Sequence, residues 1–250
     1  MNLVGLAVVV LSGVLMVVFR IIFFKRPMRG IRQLPAFNLL RQAISLAVED
    51  GSRLHISLGK SSVFSTRAAP GLVGLSVLER VAQLSSISDS PPIATSGDGS
   101  LAILSQDILS STYRDMHAAE LYDPNLGSLT GATPFSYVAG TLPVIHDEHV
   151  SANIFIGNFG PEAALLVDRA EQEHSFSMAA SDDLAAQAVF YAIAREPLLG
   201  EELFASAAYL QSKPYNAASL RVQDVLRWFI IAFTVAGVFL KLAGLPVGLP

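Results

Sequence analysis

The sequence predicts an α/β protein: a mostly parallel, Rossmann-like sheet with flanking helices, inserted between two transmembrane helices. Three observations predict it. Apolar residues fill the two ends, at 3–24 and 225–245, and apart from Arg20, Arg227 and Lys241 every charged side chain lies between them. In the middle, short alternating or apolar runs take turns with stretches of helical periodicity, which is the pattern of βα units. The connections between successive strand patterns are of helix length, as parallel strands require.

Composition sets the outer bounds. The chain has 250 residues, 52% hydrophobic and 15% charged, with a mean hydropathy of +0.48. An ordinary soluble domain carries about 25% charged residues, so a disordered tail and a typical soluble enzyme are both poor fits. The absence of cysteine excludes disulfides, thiolate zinc sites, iron–sulfur clusters and cysteine nucleophiles. A formal charge of -4 gives no reason to expect nucleic acid as a partner.

Residues 3–24 form a helix of about 33 Å at 1.5 Å per residue, enough for a bilayer core. Met1-Asn2 lacks the basic start of a secretory signal, and Phe23-Phe24-Lys25-Arg26 lacks a cleavage site. The segment is therefore expected to be a retained anchor. A basic juxtamembrane segment, 25–36, follows it. In the central domain, expected over 37–212, residues 37–48 have helical spacing and stop at Glu49-Asp50-Gly51, and 53–58 alternate as a strand. Leu72, Leu75, Leu78 and Val81 mark a helix over 71–86. Pro92-Ile93-Ala94-Thr95 is a short strand, and Ser100 caps a helix running to about 117. The stretch 118–150 is rich in Gly and Pro and reads as an insertion with a short helix near 135–142. Residues 152–157 form a buried strand, Pro161 and Glu162 start a helix, 174–179 alternate, and Ser181-Asp182-Asp183 caps a helix to about 194. Residues 197–210 are helical. A connector, 213–224, leads to the second span and tail, 225–250.

The flanks set the expected orientation. Lys25, Arg26, Arg29 and Arg32 follow the first span, and Arg227 with Trp228 opens the second. By the positive-inside rule the middle is cytoplasmic and both termini face outward.

Four constellations are candidates for chemistry. Gly59-Lys60-Ser61 follows a strand but lacks the earlier glycine of a phosphate loop, since position 54 is Leu. The turn Ser96-Gly97-Asp98-Gly99-Ser100 lies between a strand and a helix, where backbone N–H groups can meet a small ligand and Asp98 can hold a hydroxyl or a cation. Its plain alternative is a tight turn with a helix cap. Gly157-Asn158-Phe159-Gly160-Pro161-Glu162 carries its own carboxylate, which complements the helix end and disfavours an anion. His146-Asp147-Glu148-His149 has metal-ligand residue types without the i, i+4 spacing of helical zinc sites or a third ligand. No complete catalytic motif emerges, so neither a catalytic residue, a metal nor a cofactor is expected.

Several segments together resemble a known family: Arg53-Leu54-His55-Ile56-Ser57-Leu58-Gly59, Ser96-Gly97-Asp98-Gly99, Thr133-Pro134-Phe135, Phe159-Gly160-Pro161-Glu162-Ala163-Ala164-Leu165, Gly200-Glu201-Glu202-Leu203-Phe204-Ala205 and Gln223-Asp224-Val225-Leu226-Arg227-Trp228. They are similar to an uncharacterised bacterial membrane-protein family, a domain of unknown function of Chloroflexota-type organisms. The resemblance implies an inner-membrane protein and no activity. The functional expectation is a membrane-anchored, self-associating scaffold, either a homo-oligomer or a component of a larger membrane complex, whose partner is the lipid bilayer. Small-ligand sensing at Gly97-Asp98-Gly99 is the alternative, and an enzyme using Asp98 or 146–149 is a third.

Overall fold

A computed structural model describes residues 3–23, 34–210 and 214–242 of the chain. They form two units, Met1–Arg32 with Gln211–Pro250, and Gln33–Leu210. The first unit holds α1 (Leu3–Phe23) and α9 (Pro214–Leu242), which pack on each other. Within the expected connector, 213–224, residues 214–224 are helical and open α9. Among the described residues one window, Val222–Phe239, is long and apolar enough to cross a membrane, and Val9–Phe19 of α1 is a shorter apolar stretch. Lys25, Arg26, Arg29 and Arg32 lie outside the described residues, whereas Arg227 and Trp228 lie on α9.

The second unit is a six-stranded sheet with every pairing parallel, in the order β3-β2-β1-β4-β5-β6. Its strands are β1 (Arg53–Gly59), β2 (Ile93–Ser96), β3 (Gly127–Leu129), β4 (Val150–Asn158), β5 (Phe176–Ser181) and β6 (Glu196–Leu198). This is the order of doubly wound dinucleotide-binding folds, with the reversal between β1 and β4. The helices are α2 (Pro35–Asp50), α3 (Ala69–Ser85), α4 (Gly99–Asp115), α5 (Pro134–Asp147), α6 (Ala164–Gln172), α7 (Leu184–Ile193) and α8 (Glu202–Leu210).

Side chains alternate across a strand, and the sheet accordingly has two different faces. Leu54, Ile56 and Leu58 of β1, with Ile154, Ile156, Met178 and Ala180, pack under α2, α3, α4 and α8. Phe155 and Ala179 pack with Tyr137, Phe159, Leu166 and Phe190 under α5, α6 and α7. Local signals start and stop the helices. Pro35 opens α2 and Gly51, in the left-handed conformation, ends it. Thr133 and Ser136 form a capping box ahead of Pro134 in α5.

Two regions differ from the expected pattern. The stretch 118–150 contains no loose insertion: it holds the edge strand β3 and a 14-residue α5 that runs to Asp147. Residues 196–198 are a second edge strand ahead of α8. Both strands have three residues, too few to show a period, and are created by pairing with β2 and β5.

The central seam is tight. The register of β1 on β4 shifts between Ser57 and Gly59, which brings the Leu58 carbonyl against β4. A Cβ on Gly157 would lie 2.0 Å from that oxygen. Gly157→Ala is therefore expected to cost about 2–4 kcal/mol, seen as a lower melting temperature of the detergent-solubilised chain by circular dichroism. Gly99→Ala, whose Cβ meets nothing within 4 Å, should change stability by less than about 1 kcal/mol.

Candidate functional site at the carboxyl edge of the sheet

In an open parallel sheet, ligands collect outside the carboxyl ends of the strands at the point of reversal. Here that point joins the turns after β1 and β4. Topology thus brings together three candidate segments that are far apart in sequence: Gly59-Lys60-Ser61, Ser96–Ser100 and 157–162. Lys60 N–H donates to the Asn158 carbonyl (2.9 Å), and Gly97 N–H donates to the Gly59 carbonyl (2.8 Å). A Cβ on Gly97 would lie 2.8 Å from Lys60 Cγ and 3.3 Å from the Gly131 carbonyl oxygen. Glycine at 97 is needed for three turns to meet.

An ion pair occupies the point of reversal. Lys60 Nζ contacts Glu162 Oε1, with 18% and 9% of their side chains exposed. Burial pushes the Glu162 carboxyl up, but hydrogen bonds from Lys60 and from the Glu162 and Gly160 backbone, with the Lys60 charge, hold it below its ordinary range. Gly160 N–H donates to Glu162 Oε1 (3.2 Å). Neither partner can leave without stranding the other in a partly desolvated site.

The remaining carboxylates at this edge are engaged by nearby donors, Asp98 and Asp183 within their own turns and Asp182 across to β4. Asp98, and not the expected Ser100, is the N-cap of α4; Ser100 lies within the first turn, and Asp98 accepts from its N–H (2.9 Å) and its hydroxyl. Ser100 Oγ in turn accepts from Val63 N–H (3.2 Å), tying the turn to the β1–α3 loop. Ser96 donates to the Ser128 carbonyl (3.1 Å). Asp182 accepts from Asn158 Nδ2 (2.7 Å), and Asp183 caps α7 through Ala185 and Ala186 N–H. Of the proposed ligand residues, Ser96 and Gly97 are buried, Gly99 is exposed, and Asp98 and Ser100 are half-buried and bonded to each other.

Beneath the edge runs a polar chain that sequence reading did not single out. His55 is fully buried in β1 between Asn153 of β4 and Thr95 of β2. The proton positions follow from one end. The Ser175 hydroxyl donates to the Ala170 carbonyl (2.8 Å), so its oxygen accepts from Asn153 Nδ2 (2.8 Å). Asn153 Oδ1 must then accept from His55 Nδ1–H (2.7 Å), which leaves Nε2 to accept from the Thr95 hydroxyl (2.8 Å). Ser57 and Tyr137 share a 2.5 Å hydrogen bond beside it. Burial drives the Tyr137 phenol up despite hydrogen bonds from its neighbours. Burial also lowers His55 to about 4, against the opposing hydrogen bond to Asn153. The only sequence signal was the alternation of 53–58, whose polar face is covered by α5.

The 146–149 cluster lies at the opposite edge and is dispersed. His146 Nδ1 meets Glu173 (2.8 Å) and Arg53 meets Glu148 (3.0 Å). Among the described residues, no group of three or more His, Cys, Asp or Glu is placed to hold a metal.

These features define a class: a doubly wound α/β domain whose ligand edge is cross-braced by its own side chains, in a chain that also carries an apolar helix pair. The family model described as Domain of unknown function (DUF6754) matches residues 1–248, and the chain belongs to that family. Comparison with curated proteins and with solved structures returns no match.

Two outcomes test this geometry. Glu162→Gln should lower stability at pH 7 by about 1–3 kcal/mol, because it leaves the Lys60 ammonium without its counter-charge. The His55 contribution is complete above pH 6.5, where folded and unfolded chains are both neutral, and it shrinks as pH falls through about 4. Between those values only the unfolded chain takes up the proton, a loss of about 3 kcal/mol. Thermal melts from pH 7 to pH 4 should fall less steeply for His55→Gln than for the unaltered chain.

Proposed function

We propose that the protein is a two-pass, membrane-anchored scaffold of the bacterial inner membrane. In this reading α1 and α9 cross the bilayer, both termini face outward, the α/β domain is cytoplasmic, and copies associate with one another or with a larger membrane complex. The observation that carries it is the apolar surface of the helix pair. Val9, Val10 and Leu11 of α1 are 46–66% exposed, and Trp228, Phe229 and Ile230 of α9 are 62–70% exposed. Three consecutive helical residues point in three directions, so apolar surface is left open around each helix, and lipid is the medium that covers it.

The domain supports the scaffold reading through its mounting. Phe37 at the start of α2 stacks on Tyr209 at the end of α8, with ring centroids 4.8 Å apart. Arg41 donates to the Tyr209 carbonyl (2.7 Å) and Arg80 to the Leu210 carbonyl (3.2 Å). Entry and exit of the domain are thereby held together, which suits a rigid insertion in a helical hairpin. Phe64 on the β1–α3 turn, and Phe135 and Leu184 in the first turns of α5 and α7, are 72–92% exposed at the carboxyl edge and offer apolar contacts to a protein partner. Ligand sensing at Gly97-Asp98-Gly99 has less support, because the Asp98 carboxylate is already spent on α4.

The chain has no cysteine, so single cysteines report topology cleanly. In intact spheroplasts a membrane-impermeant maleimide should label Asn2→Cys and Gly248→Cys, and should reach Thr66→Cys only after permeabilisation; the opposite pattern overturns the topology. Native mass measurement after gentle extraction should show more than one copy or a companion protein, and a bare monomer overturns the association.

A further inference from the structure

We propose that the β1–α3 turn binds a phosphate-bearing anion at the N-terminus of α3, through the Ser61 hydroxyl, the Ala69 and Gly71 backbone N–H groups and Arg67. The starting observation is Ser61. Its residue is 6% exposed, and its Oγ is fully buried with no hydrogen-bond partner among the described residues. A buried hydroxyl left unpaired costs about 1–3 kcal/mol, and such groups call for an explanation. The oxygen abuts the first turn of α3: a Cβ on Gly71 would lie 3.1 Å from it.

That turn is open to an acceptor in a way its neighbours are not. Ala68 precedes α3 and has no side chain able to cap it. By contrast α4, α5 and α7 are capped by Asp98, Thr133 and Asp183, and Glu162 takes the Gly160 N–H ahead of α6. From Gly51 to Leu78 the chain contains no acidic residue, while Lys60 and Arg67 both lie in the loop. Arg67 is exposed and makes no ion pair among the described residues, and the Glu162 charge is matched by Lys60. Orphan helix donors, an unpaired hydroxyl and a guanidinium with no carboxylate of their own are the chemistry of phosphate recognition. The segment after Ser61 is tied to α4 at one point, where Val63 N–H donates to Ser100 Oγ (3.2 Å), and otherwise by short turns: Ser65 N–H donates to the Ser62 carbonyl and Phe64 N–H to Ser62 Oγ. Phe64 at the apex is 92% exposed. Contact with the Ser61 hydroxyl therefore requires this segment to shift and the Val63–Ser100 bond to open.

The phosphate can come from a soluble metabolite or from a lipid headgroup, and the test separates them. The full chain in maltoside micelles is titrated calorimetrically at low salt with inorganic phosphate, and separately with short-chain phosphatidic acid. Saturable binding of phosphate, weakened roughly tenfold or more in Ser61→Ala and in Arg67→Gln, supports a soluble ligand. Binding of phosphatidic acid alone, weakened by the same substitutions, supports a headgroup. Absence of saturable binding of either, or binding that neither substitution changes, overturns the proposal. Ser61→Ala removes an unpaired group and should melt at or above the temperature of the unaltered chain. If it does not fold, Arg67→Gln on the exposed loop still decides the outcome.

Discussion

The pairing of β1 with β4 is the constraint on which the domain depends. These strands are separated by two βα units and α5, yet they form the centre of the sheet, and every other strand is added outward from them. The seam is held by two different means. On one face Leu54, Ile56 and Ile154 supply burial, which is strong and indifferent to small shifts. On the other, His55 must meet Asn153 and Thr95 at hydrogen-bond distance, and a one-residue slip would orphan several buried polar groups at once. Apolar packing drives the pairing; the polar chain selects its register.

The same seam shapes the carboxyl edge. Because β1 and β4 end side by side, Lys60 and Glu162 arrive at the place where doubly wound sheets usually open, and their ion pair braces it. The neighbouring Asp98 and Asp183 are turned inward to cap their helices. The edge is consequently stiff and largely self-satisfied, with the β1–α3 corner as its exception. The two ends of the domain are likewise fixed, by the stacking of Phe37 on Tyr209.

Much of the fold was legible locally. The alternation of 53–58, the helical spacing of 37–48 with Gly51 beyond it, and the cap at Asp183 each express one element's own physics. The three-residue edge strands β3 and β6 carry no such signal, because their conformation is set by hydrogen bonds to β2 and β5. The Gly-rich sequence around α5 suggested an insertion, but its capping box and its packing on β4 build a full helix. The candidate turns were visible as separate motifs. Their convergence was not, since adjacency at a sheet edge depends on strand order, which no local pattern encodes.

By itself, the sequence determined the α/β class, the apolar ends, the helix caps and the absence of thiol chemistry, all of which follow from residue type and period. Only the tertiary structure decided what covers the two faces of β1. The alternation of 53–58 marks a strand without saying what covers its polar residues, and His55 and Ser57 are fully buried. It also decided that Lys60 faces Glu162 and that the Ser61 hydroxyl has no hydrogen-bond partner among the described residues. Burial and pairing are properties of neighbours brought together across about 100 residues of chain, and a side chain's chemistry is set by those neighbours as much as by its own type.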